Sequence, residues 1–124
     1  MAKVLIVEDN EMNRDMLQRR LERRGYDVAC AVDGPNGIEA ALSYRPDVIL
    51  MDVALGEMDG WEATRILKTK DTVKNVPIIA LTAHALETDR RKSIEAGCSD
   101  FETKPIALNM LIEKIEKHLG NHSS

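Results

Sequence analysis

Apolar residues gather in five short runs along the chain, at residues 4–7, 28–31, 48–51 and 78–81, with a weaker run around Asp100-Phe101-Glu102. The first, third and fourth are nearly continuous in Val, Ile and Leu, the pattern of parallel strands buried on both faces. Between the runs the apolar spacing changes to a helical period. After Asn10, a good N-cap, Met12, Met16, Leu17 and Leu21 are expected on one buried helix face, which Gly25 ends. Gly34-Pro35 predicts a turn, after which Ile38, Ala41 and Leu42 repeat the spacing as far as Pro46. Ala63, Ile66 and Leu67 do the same before the polar stretch that ends at Pro77. Residues 87–96 are mostly polar and predict a lightly buried helix stopped by Gly97. Leu108, Leu111, Ile112, Ile115 and Leu119 form an unbroken apolar stripe for a last helix.

Strands alternating with helices predict an α/β fold: a parallel sheet covered on both faces and joined by right-handed crossovers. The length, 124 residues, fits one hydrophobic core. A single domain is expected over residues 1–119, with a short polar tail at 120–124. The apolar runs are strand-sized, well short of the roughly 18 residues of a membrane span, so no membrane association is expected. Residues 1–3 carry no leader pattern, and a cytoplasmic location is the default. The net charge of −4 disfavours broad electrostatic binding to nucleic acid. Cys30 and Cys98 stand far apart without a CxxC partner and read as idle thiols in a reducing compartment.

The chemistry gathers at one edge of the expected sheet. Ligands of open α/β sheets bind beyond the carboxyl ends of the strands, near the reversal of strand order. Glu8 and Asp9 follow the first run, Asp52 the third, Thr82 the fourth, and Lys104-Pro105 the fifth. Any one of them has a bland explanation, since an Asp after a strand is a common turn former or N-cap. Five such positions converging on one rim are harder to explain as capping. Three neighbouring carboxylates repel one another, and a single lysine does not balance them. An oxygen-rich cluster poor in His and Cys favours a hard divalent cation, and Mg²⁺ is the natural occupant. A carboxylate beside Mg²⁺, a lysine and a hydroxyl is arranged to take a phosphoryl group.

The stretches Val4-Leu5-Ile6-Val7-Glu8-Asp9-Asn10, Pro46-Asp47-Val48-Ile49-Leu50-Met51-Asp52 running to Met58-Asp59-Gly60, Ala80-Leu81-Thr82-Ala83 and Lys104-Pro105-Ile106 closely resemble response-regulator receiver domains. The resemblance spans residues 2–119. It implies a flavodoxin-like doubly wound sheet of five strands, order 2-1-3-4-5, with five helices, as in the chemotaxis regulator. It implies that Asp52 is the phosphoacceptor and that Glu8, Asp9, Asp52 and the backbone carbonyl of Ala54 hold Mg²⁺. Thr82 matches the switch hydroxyl, Phe101 the aromatic that rotates between outward and inward positions, and Lys104 the lysine that pairs with the phosphoryl oxygens. The Lys104-Pro105 bond is often cis in the family. The opening at residues 8–13 is similar to receivers of hybrid-kinase relays and to cell-fate regulators of the DivK kind. The function implied is a phosphoacceptor switch of a two-component system or phosphorelay, not an enzyme acting on a separate substrate. A histidine kinase or histidine phosphotransfer protein is the implied donor, with a protein target downstream.

Several residues lie outside that core pattern. Gly56 stands where the family most often has proline, so the loop after Asp52 is expected to be more mobile. Ala54 and His84 occupy variable positions near the site, and His84 either orients a water or simply faces solvent. The first helix carries Arg14, Arg19, Arg20, Arg23 and Arg24 against Glu11, Asp15 and Glu22, five positive minus three negative, or +2. It reads as a solvated face or as a docking patch for the phosphoryl donor. Trp61 is expected to pack partially, and His118 and His122 to lack ligand partners.

Rival chemistries fail on particular residues. A haloacid-dehalogenase-like phosphatase needs a second Asp two positions after the nucleophile, where this chain has Ala54. A flavodoxin-like FMN carrier needs a Ser/Thr/Gly-rich phosphate loop, and Glu8-Asp9-Asn10-Glu11 has the wrong charge for one.

Overall fold

A computed structural model describes residues 2–84 and 86–120. The chain alternates β1 (Lys3–Val7), α1 (Glu11–Arg23), β2 (Asp27–Ala31), α2 (Gly34–Tyr44), β3 (Val48–Asp52), α3 (Gly60–Leu67), β4 (Ile78–Thr82), α4 (Glu87–Ala96), β5 (Asp100–Thr103) and α5 (Leu108–Gly120). The strands form one parallel sheet in the order β2-β1-β3-β4-β5, as expected. Helix α5 takes in Gly120, the first residue of the expected tail; residues 121–124, including His122, lie outside the described residues. No described helix is long and apolar enough to cross a membrane.

The period of two along each strand divides the interior into two layers. Val4 and Ile6, Val48 and Leu50, and Ile79 and Leu81 face one way, where they meet Leu17 and Leu21 of α1 and Leu111, Ile112 and Ile115 of α5. Leu5 and Val7, Ile49 and Met51, and Ile78 and Ala80 face the other way, against Ala41 of α2 and Ala63 and Leu67 of α3. β3 and β4 are buried along their whole length, so their near-continuous apolar sequence reflects a covering layer on both faces. α4 buries only Ser93 and Ala96, in keeping with its polar sequence.

Three local expectations are corrected. Gly34 and Pro35 open α2 and do not form a turn before it. Asp33 caps the helix by accepting from the Asn36 N–H at 2.8 Å, and proline's fixed φ suits the first helical turn. In α1 the buried stripe is Leu17 and Leu21 alone, while Met12 is 82% exposed and Met16 38%. At roughly 100° per residue, Met12 lies about 140° around the helix from Leu17, too far to share its face. Leu42, adjacent to buried Ala41, turns outward for the same reason.

Cys98 lies in the core between α3 and α4, and burial pushes its thiol up to about 11. A thiol whose folded value is raised stabilises the fold below its ordinary value of 9.0 and loses that contribution as pH rises toward 11. Thermal unfolding from pH 8 upward should therefore fall more steeply for the native chain than for Cys98→Ala. Iodoacetamide at pH 8 should modify half-buried Cys30 before Cys98; equal rates by peptide mass mapping would contradict this packing.

Candidate functional site

The register of β1 on β3 builds the site. Val7 pairs with Met51, so the next residues along, Glu8 and Asp52, emerge side by side. By strand alternation both belong to the face of Val4, Ile6, Val48 and Leu50. One oxygen each of Glu8, Asp9 and Asp52 lies within 4.8 Å of the others, with Glu8 and Asp52 buried and Asp9 exposed. Lys104 reaches in from the end of β5, its Nζ 3.0 Å from Glu8 Oε1 and 3.0 Å from Asp52 Oδ2. The Lys104-Pro105 peptide is cis.

Backbone donors fix the remaining carboxylate oxygens. The Ala54 N–H donates to Asp52 Oδ1 at 3.0 Å, and the Asn10 N–H to Glu8 Oε2 at 3.1 Å. Arg14 Nη1 donates to the Glu8 carbonyl at 3.0 Å, which gives this arginine a structural task at the site. Gly60, the first residue of α3, sits against the Asp52 carbonyl and Val53 so closely that a Cβ would collide with backbone. Asp59 caps α3 by accepting from the Glu62 N–H at 2.8 Å.

The charges do not balance. Burial, followed by the neighbouring Asp52 carboxylate, pushes Glu8 up to about 7. Burial works against the charge on Lys104, yet Glu8 and Asp52 outweigh it and hold the ammonium above its ordinary value. Three acids share one ammonium, and the excess negative charge makes Glu8 easier to protonate than an ordinary carboxylate. An all-oxygen set with surplus negative charge fits a hard divalent cation such as Mg²⁺.

Thr82 joins this group through its backbone, its carbonyl accepting from the Lys104 N–H at 2.7 Å, while Phe101 sits within β5. Thr82 ends β4 with the parity of Ile78 and Ala80, the opposite face from Glu8 and Asp52. It is buried, and its hydroxyl donates to the His84 carbonyl at 3.1 Å while accepting from the His84 N–H at 3.2 Å. The exposed His84 thus serves the site through its backbone. Phe101 is half-buried on β5, with Arg90 of α4 and Lys114 of α5 both near its ring. Trp61 is half-buried as expected, its Nε1 donating to Ser93 Oγ of α4 at 2.9 Å.

Some partners were not legible in the sequence. His118, for which no metal-ligand partners were expected, pairs with Asp100 at 3.1 Å, and Lys114 closes the same end of β5. No spacing rule links β5 to Lys114 and His118, the seventh and eleventh residues of α5. The Asn10 and Ala54 N–H groups carry no side-chain signal at all.

The model for the response regulator receiver domain matches residues 4–116. The polar-differentiation response regulator DivK of Brucella anthropi is 38% identical over 118 residues, covering 95% of this chain and 96% of that protein. The receiver domain of the sensor histidine kinase PA1611 from Pseudomonas aeruginosa, solved with a magnesium ion coordinated in its active-site cleft, is 37% identical with a TM-score of 0.89. That match covers 96% of this chain and 98% of that one. The chemotaxis protein CheY4 of Vibrio cholerae has a TM-score of 0.90 at 30% identity, covering 94% and 98%. Sequence and fold agree: this chain belongs to the response regulator receiver family, whose members signal in two-component systems by phosphorylation of an aspartate.

Proposed function

We propose that Asp52 is the aspartate that accepts the phosphoryl group, and that residues 1–119 form the receiver unit. The observation that carries this is the buried Asp52 carboxylate, gathered with Glu8 and Asp9 within 4.8 Å and bridged to Glu8 by Lys104. Glu8, Asp9, Asp52 and the Ala54 carbonyl would hold Mg²⁺, which when bound neutralises charge on the phosphoryl oxygens. An Asp52 carboxylate oxygen forms the bond to phosphorus as the bond from phosphorus to the donor's leaving group breaks. Lys104, already 3.0 Å from Asp52, then holds a phosphoryl oxygen. Thr82 exchanges its His84 carbonyl for the new acceptor, and Phe101 turns inward, which alters the surface of α4, β5 and α5.

The donor in this reading is a histidine kinase or a histidine phosphotransfer protein, and the output is altered contact with a downstream protein. The outer face of α1 is the docking surface we favour. Leu17 belongs to the core and Arg14 to the site, which leaves Met12 and Met16 among Arg19, Arg20 and Arg23. An exposed methionine pair ringed by arginines suits an apolar, acidic helix. The two free thiols accord with action in the cytoplasm. The chain acts as a switch and turns over no separate substrate.

Incubation with acetyl phosphate should add one labile phosphoryl group by intact mass, only with Mg²⁺ present, and none to Asp52→Asn. A stable adduct, or label on another residue, rejects the assignment. Lys104→Met should tighten Mg²⁺ binding, because a competing ammonium is gone. It should also slow phosphoryl uptake about tenfold or more, since a charge-assisted hydrogen bond is worth about 1.5–3 kcal/mol; calorimetry and mass kinetics read the two effects separately. Met12→Glu should slow transfer from the cognate donor while leaving uptake from acetyl phosphate unchanged. Equal transfer rates would remove α1 from the docking surface.

A further inference from the structure

The single phenylalanine of the chain is flanked by two cations from different helices. The Arg90 guanidinium of α4 lies 5.5 Å from the Phe101 ring centroid and the Lys114 ammonium of α5 lies 5.4 Å from it. Both distances are within the range at which a ring quadrupole attracts a cation. Lys114 is itself held in place. It donates to the Phe101 carbonyl at 2.6 Å, pairs with Glu102 at 2.8 Å and lies 3.9 Å from Asp100, which His118 also engages. The side chain therefore grips both the backbone and the ring of the same residue. Arg90 is exposed and reaches the ring from the least-buried helix of the fold.

We propose that Arg90 and Lys114 are positioning residues that clamp the Phe101 ring in its resting place between α4 and α5, and so set how readily the receiver switches. The inference rests on the reading of Phe101 as the residue that turns inward when Asp52 is phosphorylated. The phenylalanine ring has no hydroxyl to anchor its tip, so its attraction to the two cations adds to its packing against the core in resisting the turn. An inward ring leaves both cations behind, so each contact stabilises the resting state alone. Removing one lets the phosphorylation-ready arrangement become more populated, and uptake rises with that population. A general charge effect would act in the opposite sense, because loss of a positive charge weakens attraction of an anionic donor. The direction of the change therefore separates the clamp from bulk electrostatics.

The test uses the full chain with 4-fluorophenylalanine incorporated, which places one fluorine at position 101. Fluorine NMR reads the ring, and mass kinetics with acetyl phosphate and Mg²⁺ read uptake. Arg90→Gln and Lys114→Gln should each raise the initial uptake rate about two- to fivefold, the worth of one exposed cation–ring contact. Each should also move the resting fluorine signal toward its phosphorylated position. Arg90→Lys and Lys114→Arg, which keep the cation, should behave as the native chain. Lys114→Gln leaves buried Glu102 without its counter-charge and can unfold the chain; Arg90→Gln touches only the surface and keeps the test decisive. Unchanged or slower uptake in Arg90→Gln, with an unmoved resting signal, overturns the clamp. A native chain that takes up phosphate without any fluorine shift overturns the switching role of Phe101 and the clamp with it. A native chain that takes up no phosphate overturns the assignment of Asp52 instead.

Discussion

Mutual repulsion among Glu8, Asp9 and Asp52 is the constraint around which the molecule is arranged. Left to themselves, like charges at this spacing separate or protonate. They do not separate, because Glu8 follows Val7 and Asp52 follows Met51, and those neighbours are locked in register by strands whose residues 4–7 and 48–52 are all buried. A one-residue slip would turn every apolar side chain of a strand to the wrong layer, so the core opposes any relaxation of the acids. The tension is instead taken up locally, by Lys104 between two carboxylates and by a Glu8 carboxyl held well above its ordinary range. A bound divalent cation would discharge what the sheet holds together.

The two halves of the expected site differ in the partners their side chains hold. Glu8 and Asp52 share a face, and the lysine after β5 reaches it. Thr82 has the opposite parity and satisfies its hydroxyl on the His84 backbone. A hydroxyl engaged in this way holds the start of the β4–α4 connection in its resting form. In the proposed reading, moving it toward the acids would exchange one hydrogen bond for another at small net cost.

How much of this could be read in advance depended on whether the signal was periodic or relational. The continuous apolar runs at residues 48–51 and 78–81 named their strands because burial on both faces leaves no room for polar residues. The rim residues were legible because strand ends are marked by the runs that precede them. Met12 misled because a nonpolar residue near a stripe looks like part of it, yet helix geometry carries it to solvent. Gly34-Pro35 misled because the same dipeptide suits a turn and a first helical turn, and only Asp33 as the cap distinguishes them. Arg90 and Lys114 were not legible, since two helices on separate crossovers bring them to one ring, and no local spacing encodes that meeting.

Stability is distributed so that the switch has somewhere to act. α1 is pinned by Leu17 and Leu21, α3 by Leu67 and α5 by Leu111, Ile112 and Ile115, whereas α4 buries only Ser93 and Ala96 and exposes Ile94. An element with so few apolar contacts lies at the low end of local stability. What holds it is a small set of polar and ring contacts: Trp61 to Ser93 from α3, Lys92 over the Trp61 ring, and Arg90 over Phe101. Each is worth about 0.5–1.5 kcal/mol, less than the about 1.5–3 kcal/mol of a single charge-assisted hydrogen bond, so one such bond can outweigh any of them. A helix held by a hydrophobic core would not respond to so small a change. Held by a few weak contacts, α4 can.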